Sequence, residues 1–451
     1  MKARIAIPAL LAVATLAVLA IQRQPPPICT DLNVALIVLD AAGVRHLSGY
    51  GNPRPTTPNI DRILAGATRF ERAYAQAPAT VKSMSSLLTG KYAPSVESTE
   101  EPFKLENERT LAMLLEGAGY RTAAFSQNPW ISRTFGFANG FQTFAEISGE
   151  PVPGRPLPNT AGAIETPFTK AVTSWIDEPA KVPFFLYAHL LAPHSPYTPP
   201  KPFAGSFDPN YAGKVRDFDV YATETGKLVL TAEEIADLRL AYEENLAYAD
   251  AQAGAILHHL DDLGLFDDTL IILTGDHGEA FFEHGRMMHG TTLYDEMLRV
   301  PLFIHWPACL ATMPARYPHP AELRQLYATI ADALDIAGTD RSGSFLAALR
   351  TPDAPQPVRA DASDPFTHRH MRMVVRGGFK LIETDPGEEE ELYDLSEDPR
   401  ELHNIAGRRP DLVAELRPIL QASGDEIGSG EVPEIDAATR EKLRGLGYQI
   451  P

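Results

Sequence analysis

Apolar runs alternate along this chain with stretches whose apolar residues recur at helical spacing. Asn33–Asp40 (NVALIVLD) is apolar throughout and ends in an acid, which predicts a strand buried on both faces. Thr57-Pro58 then opens a predicted helix through Asn59–Ala75, with Thr as cap and Pro in the first turn. A second helix starts near Val81 and ends before Gly90. Thr110–Glu116 reads as helix, Gly117–Gly119 as its break, and Arg121–Ser126 as a strand. Residues 145–165 form a Pro- and Gly-rich loop, followed by a helix over Thr169–Ile176 and a buried strand over Phe184–His189. A long loop, 195–230, precedes the amphipathic helix Leu230–Leu263, and loops of that length in compact enzymes are often functional. Thr269–Thr274 is a strand, Leu293–Leu298 helix, Val300–Ile304 strand, and Glu322–Ile336 a helix ended by Gly338.

Strands that are apolar on both faces and alternate with helices imply an α/β fold, a mostly parallel central sheet sandwiched by helices. After residue 340 the pattern changes. Met373–Val375, Lys380–Glu383 and Glu391–Leu395 read as short antiparallel strands around glycine turns, and Pro410–Leu420 as a helix. This predicts a smaller C-terminal α+β unit over 346–451, after a larger α/β unit over 28–345.

Residues 1–27 have a different character. Lys2 and Arg4 precede an apolar run from Ile5 to Ile21, which gives way to Gln22-Arg23-Gln24 and three prolines. That order describes an export signal, cleavable after Ala20 or retained as a short membrane anchor. The expected location is therefore outside the cytoplasm, periplasmic or extracellular. In an oxidising compartment Cys29 and Cys309, the chain's two cysteines, are able to pair. With no CxxC there is neither a zinc ribbon nor a dithiol redox site. The net charge of −19 argues against a nucleic-acid partner, whose affinity comes mainly from phosphate neutralisation.

In open α/β sheets, ligands bind at the carboxyl ends of the strands. Asp40, Asp276 with His277, and His189 with His194 all fall there, and Thr80 opens a helix. Taken singly, each has an ordinary structural reading: a helix cap for Asp40 and Thr80, a packed side chain for a lone histidine. An Asp-His pair after a buried strand says more, because carboxylate and imidazole reach one cation together, and Gly278 lets the backbone turn.

The segments NVALIVLD, TTPNIDRILAGATRFERAYAQAPAT, SSLLTGKY, APHSPYTPP, TGDHGEAFFEHGRMMHGTTLYDEMLRVPLF, ELYDLSEDPRELHNIA and LRGLGY, in this order, resemble the sulfatase family of the alkaline phosphatase superfamily. The resemblance runs from about Asn33 to Tyr448. It implies a metal-dependent hydrolase of anionic esters. The family nucleophile, a Cys or Ser converted to formylglycine, aligns with Thr80, and threonine cannot give that aldehyde because its Cβ carries a methyl group. Lys82 and Met84 stand where the family shows Pro and Arg. The resemblance therefore implies a variant in which the Thr80 alkoxide attacks directly, aided by a divalent cation and the helix N-terminus. It implies Asp40, Thr80, Asp276 and His277 as metal ligands. Ala41 and His277 replace a carboxylate and an amide that suit calcium, which favours manganese or zinc. Asp250 lacks the histidine four residues on that a two-zinc site would need, so one metal is expected. His194 matches the family histidine near the leaving group, and His289 the lysine that binds the anionic ester. Asn128, Lys82 and His189 are candidate substrate contacts, and His284 a further histidine of the same segment. Tyr448 reads as a docking residue. Sulfate, phosphate and phosphonate esters remain open as substrates, small or linked to a sugar or lipid. So do a membrane-associated transferase of the phosphoethanolamine type and a non-catalytic anion-binding protein.

Overall fold

The computed structural model describes residues 31–93, 103–147, 152–158, 160–208, 223, 227–310, 313–350, 356–385, 387–421, 426–428, 433–446 and 448. The N-terminal segment 1–27, Cys29 with its proposed pairing, and residues 209–222 and 224–226 of the 195–230 loop lie outside them. No helix among the described residues is long and apolar enough to cross a membrane.

Asn33–Asp40 lies near the middle of a nine-stranded sheet. On one side follow Phe184–Pro193, Arg121–Ser126 and Thr143–Glu146, all parallel to it. On the other side comes Thr269–Gly275, also parallel, then Leu302–His305, which runs antiparallel to both of its neighbours. Thr68–Tyr74 and the edge strand Arg316–Glu322 complete the sheet, with the short Arg299–Val300 pairing beyond Pro301.

The pleat sends alternate residues of each central strand into two separate cores. Val34, Leu36 and Val38 join Met84, Leu87, Leu114 and Ile330 from helices Thr80–Thr89, Leu111–Gly117 and Gln325–Ala333. Ala35, Ile37 and Leu39 join Ile60, Phe168, Val172 and Leu257 from Pro58–Ile63, Pro167–Ile176 and Ala232–Asp262. The 31-residue helix starts at a capping box in which the Thr231 hydroxyl accepts from Glu234 N and the Glu234 carboxylate accepts from Thr231 N. Sheet and helix layers thus take the predicted α/β form.

Two predicted elements change. The helix over Asn59–Ala75 stops at Ile63, and Thr68–Tyr74 is a strand instead. Its apolar content follows a burial pattern near period two, and it finds backbone partners on both sides. Arg316–Glu322 goes unpredicted because Pro318 and Pro320 break ladders. It survives as an edge strand whose register shifts between Tyr317 and Pro320.

The C-terminal sheet is a four-stranded antiparallel meander, Val358–Ser363, His370–Arg376, Phe379–Thr384 and Glu389–Asp394. The first of these strands is additional to the three read from sequence. One face packs on helix Pro410–Leu420, and the other continues the main core through Met373, Val375 and Ile382. Lys380 is fully buried between them, its ammonium 2.9 Å from Asp295 and 2.6 Å from Glu401. A buried cation paired twice this way ties the C-terminal sheet to Asp295, since losing either partner leaves a charge stranded.

A second, half-buried charge pair, Asp361 and Lys82, joins the C-terminal sheet to helix Thr80–Thr89. Burial pushes the Asp361 carboxyl up to about 6 against the pull of Arg372 and Lys82, and burial lowers Lys82 to about 8. An acid whose pKa is raised by folding binds more protons in the folded state, so stability falls as pH rises through that window and stays reduced above it. Asp361→Asn should therefore stabilise the protein by about 1–2 kcal/mol at pH 7 and leave it unchanged near pH 4. Urea denaturation at the two pH values measures this; equal effects at both would show that the carboxyl carries no such burden.

Candidate active site

Five segments converge at the carboxyl ends of the parallel strands. Asp40 ends its strand, fully buried. Asp276 and His277 follow Thr269–Gly275, and Asn128 follows Arg121–Ser126 by two residues. His189 lies inside Phe184–Pro193, four residues longer than its predicted strand, and His194 directly after it. Thr80 is the first residue of helix Thr80–Thr89, whose N-cap is Ala79 with no side-chain bond, so the Thr80 hydroxyl is not used as a cap.

Backbone geometry brings these groups together. Ala41 takes a left-handed conformation, φ 55°, uncommon for a residue with a Cβ. Its N–H donates to Asp276 Oδ1 at 2.9 Å, and its carbonyl accepts from the Tyr242 hydroxyl at 2.7 Å. The same Asp276 oxygen accepts from His277 N at 2.9 Å. Gly278 is required by packing rather than by the turn: a Cβ there would overlap the Glu296 carbonyl.

The centre of the site is a carboxylate pair bordered by imidazoles. Asp40 Oδ2 accepts from Asn128 Nδ2 and lies 3.0 Å from His189 Nε2. Burial alone would raise the Asp40 carboxyl, but the His189 hydrogen bond and the charges of His194 and His277 hold it well below the carboxylate range. His277 Nδ1 faces the Gly278 carbonyl at 2.9 Å, so in the neutral ring Nδ1 carries the proton and Nε2 the lone pair. That Nε2 lies 3.2 Å from Thr80 Oγ1, 3.5 Å from Asp276 Oδ2 and 3.8 Å from Asp40 Oδ1. Asp40 Oδ1 and Asp276 Oδ2 are buried without a hydrogen-bond partner. Two orphaned carboxylate oxygens beside an imidazole lone pair and a hydroxyl fit a divalent cation, because burial of unpaired carboxylate oxygens otherwise costs free energy. Asp40, His189 and Asp276 also offer ligand atoms all within 4.8 Å of one another. The Tyr187 hydroxyl, 2.7 Å from His189 Nδ1, can donate or accept, so it allows either tautomer of that ring.

A second group adjoins this centre. His289 stacks near His277, ring centroids 4.3 Å apart, and near His194 at 4.9 Å. Its Nδ1 lies 2.8 Å from Glu279 Oε1. Burial lowers both His194 and His289, and burial pushes the Glu279 carboxyl up to about 7 against the pull of His194 and His277. The Tyr448 hydroxyl lies between His194 Nε2 at 2.9 Å and His289 Nε2 at 3.0 Å.

Residues 32–336 match the family model described as Sulfatase. The chain belongs to the sulfatase family. It is a hydrolase that acts on ester bonds. It is similar to arylsulfatase K of Bos taurus, 26% identical over 85% of this chain and 80% of that protein, and equally to that of Xenopus laevis, over 85% and 81%. Among solved structures it is similar to an enzyme in complex with its substrate D-glucosamine-2-N,6-O-disulfate (TM-score 0.70, 20% identity, covering 92% of this chain and 98% of that one). It is similar also to a phosphonate monoester hydrolase of Agrobacterium radiobacter (TM-score 0.67, 20% identity, 86% and 94%).

Within this sulfatase, Asp40, Thr80, Asp276, His277, Asn128, His189, His194 and His289 occupy one buried cluster. Lys82 does not join it. It lies on the next turn of the helix, and the charge that acts on it is Asp361 of the C-terminal sheet. His284 is also elsewhere: its Nδ1 is 2.5 Å from Glu296, its Nε2 3.0 Å from the Glu401 carbonyl, and it stacks on Tyr294. Glu279 is the site residue that sequence reading passed over, and Tyr448, read there as a docking residue, also stands at the site. Glu279 had a signal in its place three residues after Asp276. Tyr448 sat in the recognised LRGLGY segment but had no chemical neighbour in sequence.

Proposed function

We propose that this sulfatase cleaves anionic esters through a Thr80 alkoxide rather than formylglycine, with one divalent cation, manganese or zinc in preference to calcium. The observation that carries this is His277 Nε2, 3.2 Å from the buried Thr80 hydroxyl, with the unpartnered Asp276 Oδ2 and Asp40 Oδ1 3.5 and 3.8 Å from the same nitrogen. Asp40, Asp276 and His277, with His189 beside them, would hold the cation, which lowers the pKa of a hydroxyl next to it and offsets charge on the ester. Thr80 opens a ten-residue helix, whose N-terminal dipole favours negative charge on its oxygen. Asn128 Nδ2, 3.5 Å from Thr80 Oγ1, is placed to donate to the attacking or non-bridging oxygen. The Thr80 proton passes to solvent; the bond from Thr80 to phosphorus or sulfur forms as the bond to the ester oxygen breaks, that oxygen keeps the electron pair and takes a proton from solvent, and water then cleaves the Thr80 ester and restores its hydroxyl. Threonine favours phosphate diesters and phosphonates, while the relatives' names keep sulfate esters of sugars within the substrate class. The basic, then apolar, then polar order of residues 1–27 supports export, with or without retention at the membrane.

Turnover of an aryl sulfate, a phosphate diester and a phosphonate monoester, compared with manganese, zinc and calcium, tests the reading. Metal-dependent turnover of at least one ester is expected. Silence on all three would leave a binding protein. Asn128→Ala should lower kcat on the preferred ester by about 100-fold. An unchanged kcat would remove Asn128 from the reacting end of the site.

A further inference from the structure

The first strand of the sheet ends in a strained turn. Ala41, directly after Asp40, has a φ of 55°, where a Cβ crowds the neighbouring backbone. The residue is fully buried. A conformation of this kind persists only where the surroundings hold it. One side chain does so here. The Tyr242 hydroxyl donates to the Ala41 carbonyl at 2.7 Å and accepts from Gly43 N at 3.0 Å. Its one proton is therefore spent on the backbone of the turn. Tyr242 lies in the long helix Ala232–Asp262 and is fully buried. Its ring is packed edge-on by Tyr197, Phe281 and His46, with centroids 5.7, 5.2 and 4.8 Å away. The turn is thus clamped from a rigid support.

The other end of Ala41 reaches the site. Its N–H donates to Asp276 Oδ1 at 2.9 Å, and His277 N–H meets the same oxygen at 2.9 Å. Two amide donors occupy Oδ1. Asp276 Oδ2 is left without a hydrogen-bond partner, 3.5 Å from His277 Nε2. One orientation of the carboxylate is chosen in this way. The choice depends on φ, which sets the angle between the N–H and the carbonyl of Ala41. If Ala41 relaxed to an ordinary φ, its two backbone groups could not meet Asp276 and Tyr242 together.

We propose that Tyr242 is a positioning residue of the cation site: its hydroxyl locks the Ala41 turn, and the Ala41 N–H holds Asp276 with Oδ2 beside His277 Nε2 and free of hydrogen bonds. The inference rests on the reading of Asp40, Asp276 and His277 as the residues that hold a divalent cation. Tyr242 acts through Ala41, so its contribution is to affinity for the cation. Groups that orient a metal-holding side chain typically account for about 10–100-fold in that affinity.

The test titrates manganese and zinc by calorimetry into the metal-free full chain, as the parent, as Tyr242→Phe, and as Tyr242→Phe combined with Ala41→Gly. Phenylalanine keeps the ring packing and removes the hydroxyl. Glycine takes a positive φ without the Cβ penalty, so the turn no longer needs the clamp. The expected result is a Kd raised about 10–100-fold in Tyr242→Phe and returned to within about threefold of the parent in the double variant. A Kd unchanged in Tyr242→Phe, with only a lower melting temperature of the metal-free protein, would show a structural role and overturn the proposal. An equal loss of affinity in the double variant would overturn it too, because the hydroxyl would then act by a route other than the Ala41 turn. If the parent binds neither ion, the cation reading itself falls, and the role of Tyr242 with it.

Discussion

Thr80→Ala is expected to reduce turnover of the preferred ester by at least about 10⁴-fold while the protein melts within a few degrees of the parent. Both halves of that expectation come from the same geometry. The Thr80 oxygen touches His277 Nε2 at 3.2 Å and Asn128 Nδ2 at 3.5 Å, both groups of the site. It does not cap its helix, where Ala79 is the N-cap, and alanine is well tolerated in a first turn. Removing the hydroxyl thus deletes the proposed attacking atom and little else. Thr80→Ser, which keeps the oxygen and loses a methyl group, should retain activity within about tenfold. Steady-state kinetics with calorimetry on both variants decide the matter. Full activity in the alanine variant would mean that another atom attacks the ester.

Asp40→Asn should abolish the cation response of the protein. A ligand that binds only the folded state stabilises it by RT ln(1 + [L]/Kd), so manganese or zinc at 100 times Kd should add about 2.7 kcal/mol to the parent. Asparagine keeps the shape and loses the charge. It also turns a nitrogen or a single neutral oxygen towards the position where Asp40 Oδ1 now lies without a partner. The cation-induced rise in melting temperature should therefore vanish, and turnover fall by more than about 10³-fold. An equal rise in parent and variant would place the cation somewhere other than the Asp40–Asp276 pair. The thermal readout does not depend on knowing the substrate, so it tests the site even before the preferred ester is found.

Much of the fold was legible because buried parallel strands are apolar on both faces. Asn33–Asp40 and Arg121–Ser126 match their predicted limits, and Thr269–Gly275 differs by one residue. Thr68–Tyr74 was misread because FERAYA, next to a true helix start, also fits helical spacing; only its pairing with Leu302–His305 and Arg316–Glu322 makes it a strand. Arg316–Glu322 was hidden by its prolines. The candidate chemistry was legible where strand ends and family segments coincide, at Asp40, Thr80, Asp276, His277 and His194. Lys82 was misleading for a simple reason. Two residues along a helix from Thr80 is more than half a turn, so its side chain leaves on another face.

The residues by themselves determined the layer order, the strand ends that carry acids and imidazoles, and the threonine at position 80, where the family resemblance would put a cysteine or serine. These follow from local periodicity and side-chain chemistry, which are written along the chain. Tertiary structure alone decided which groups meet. It set His189 against Asp40, left two carboxylate oxygens facing His277 without partners, and brought Tyr448 across 254 residues of chain to hold two histidines. Contacts of that range depend on how sheet, helices and C-terminal segment close over one another, and no local pattern encodes that closure.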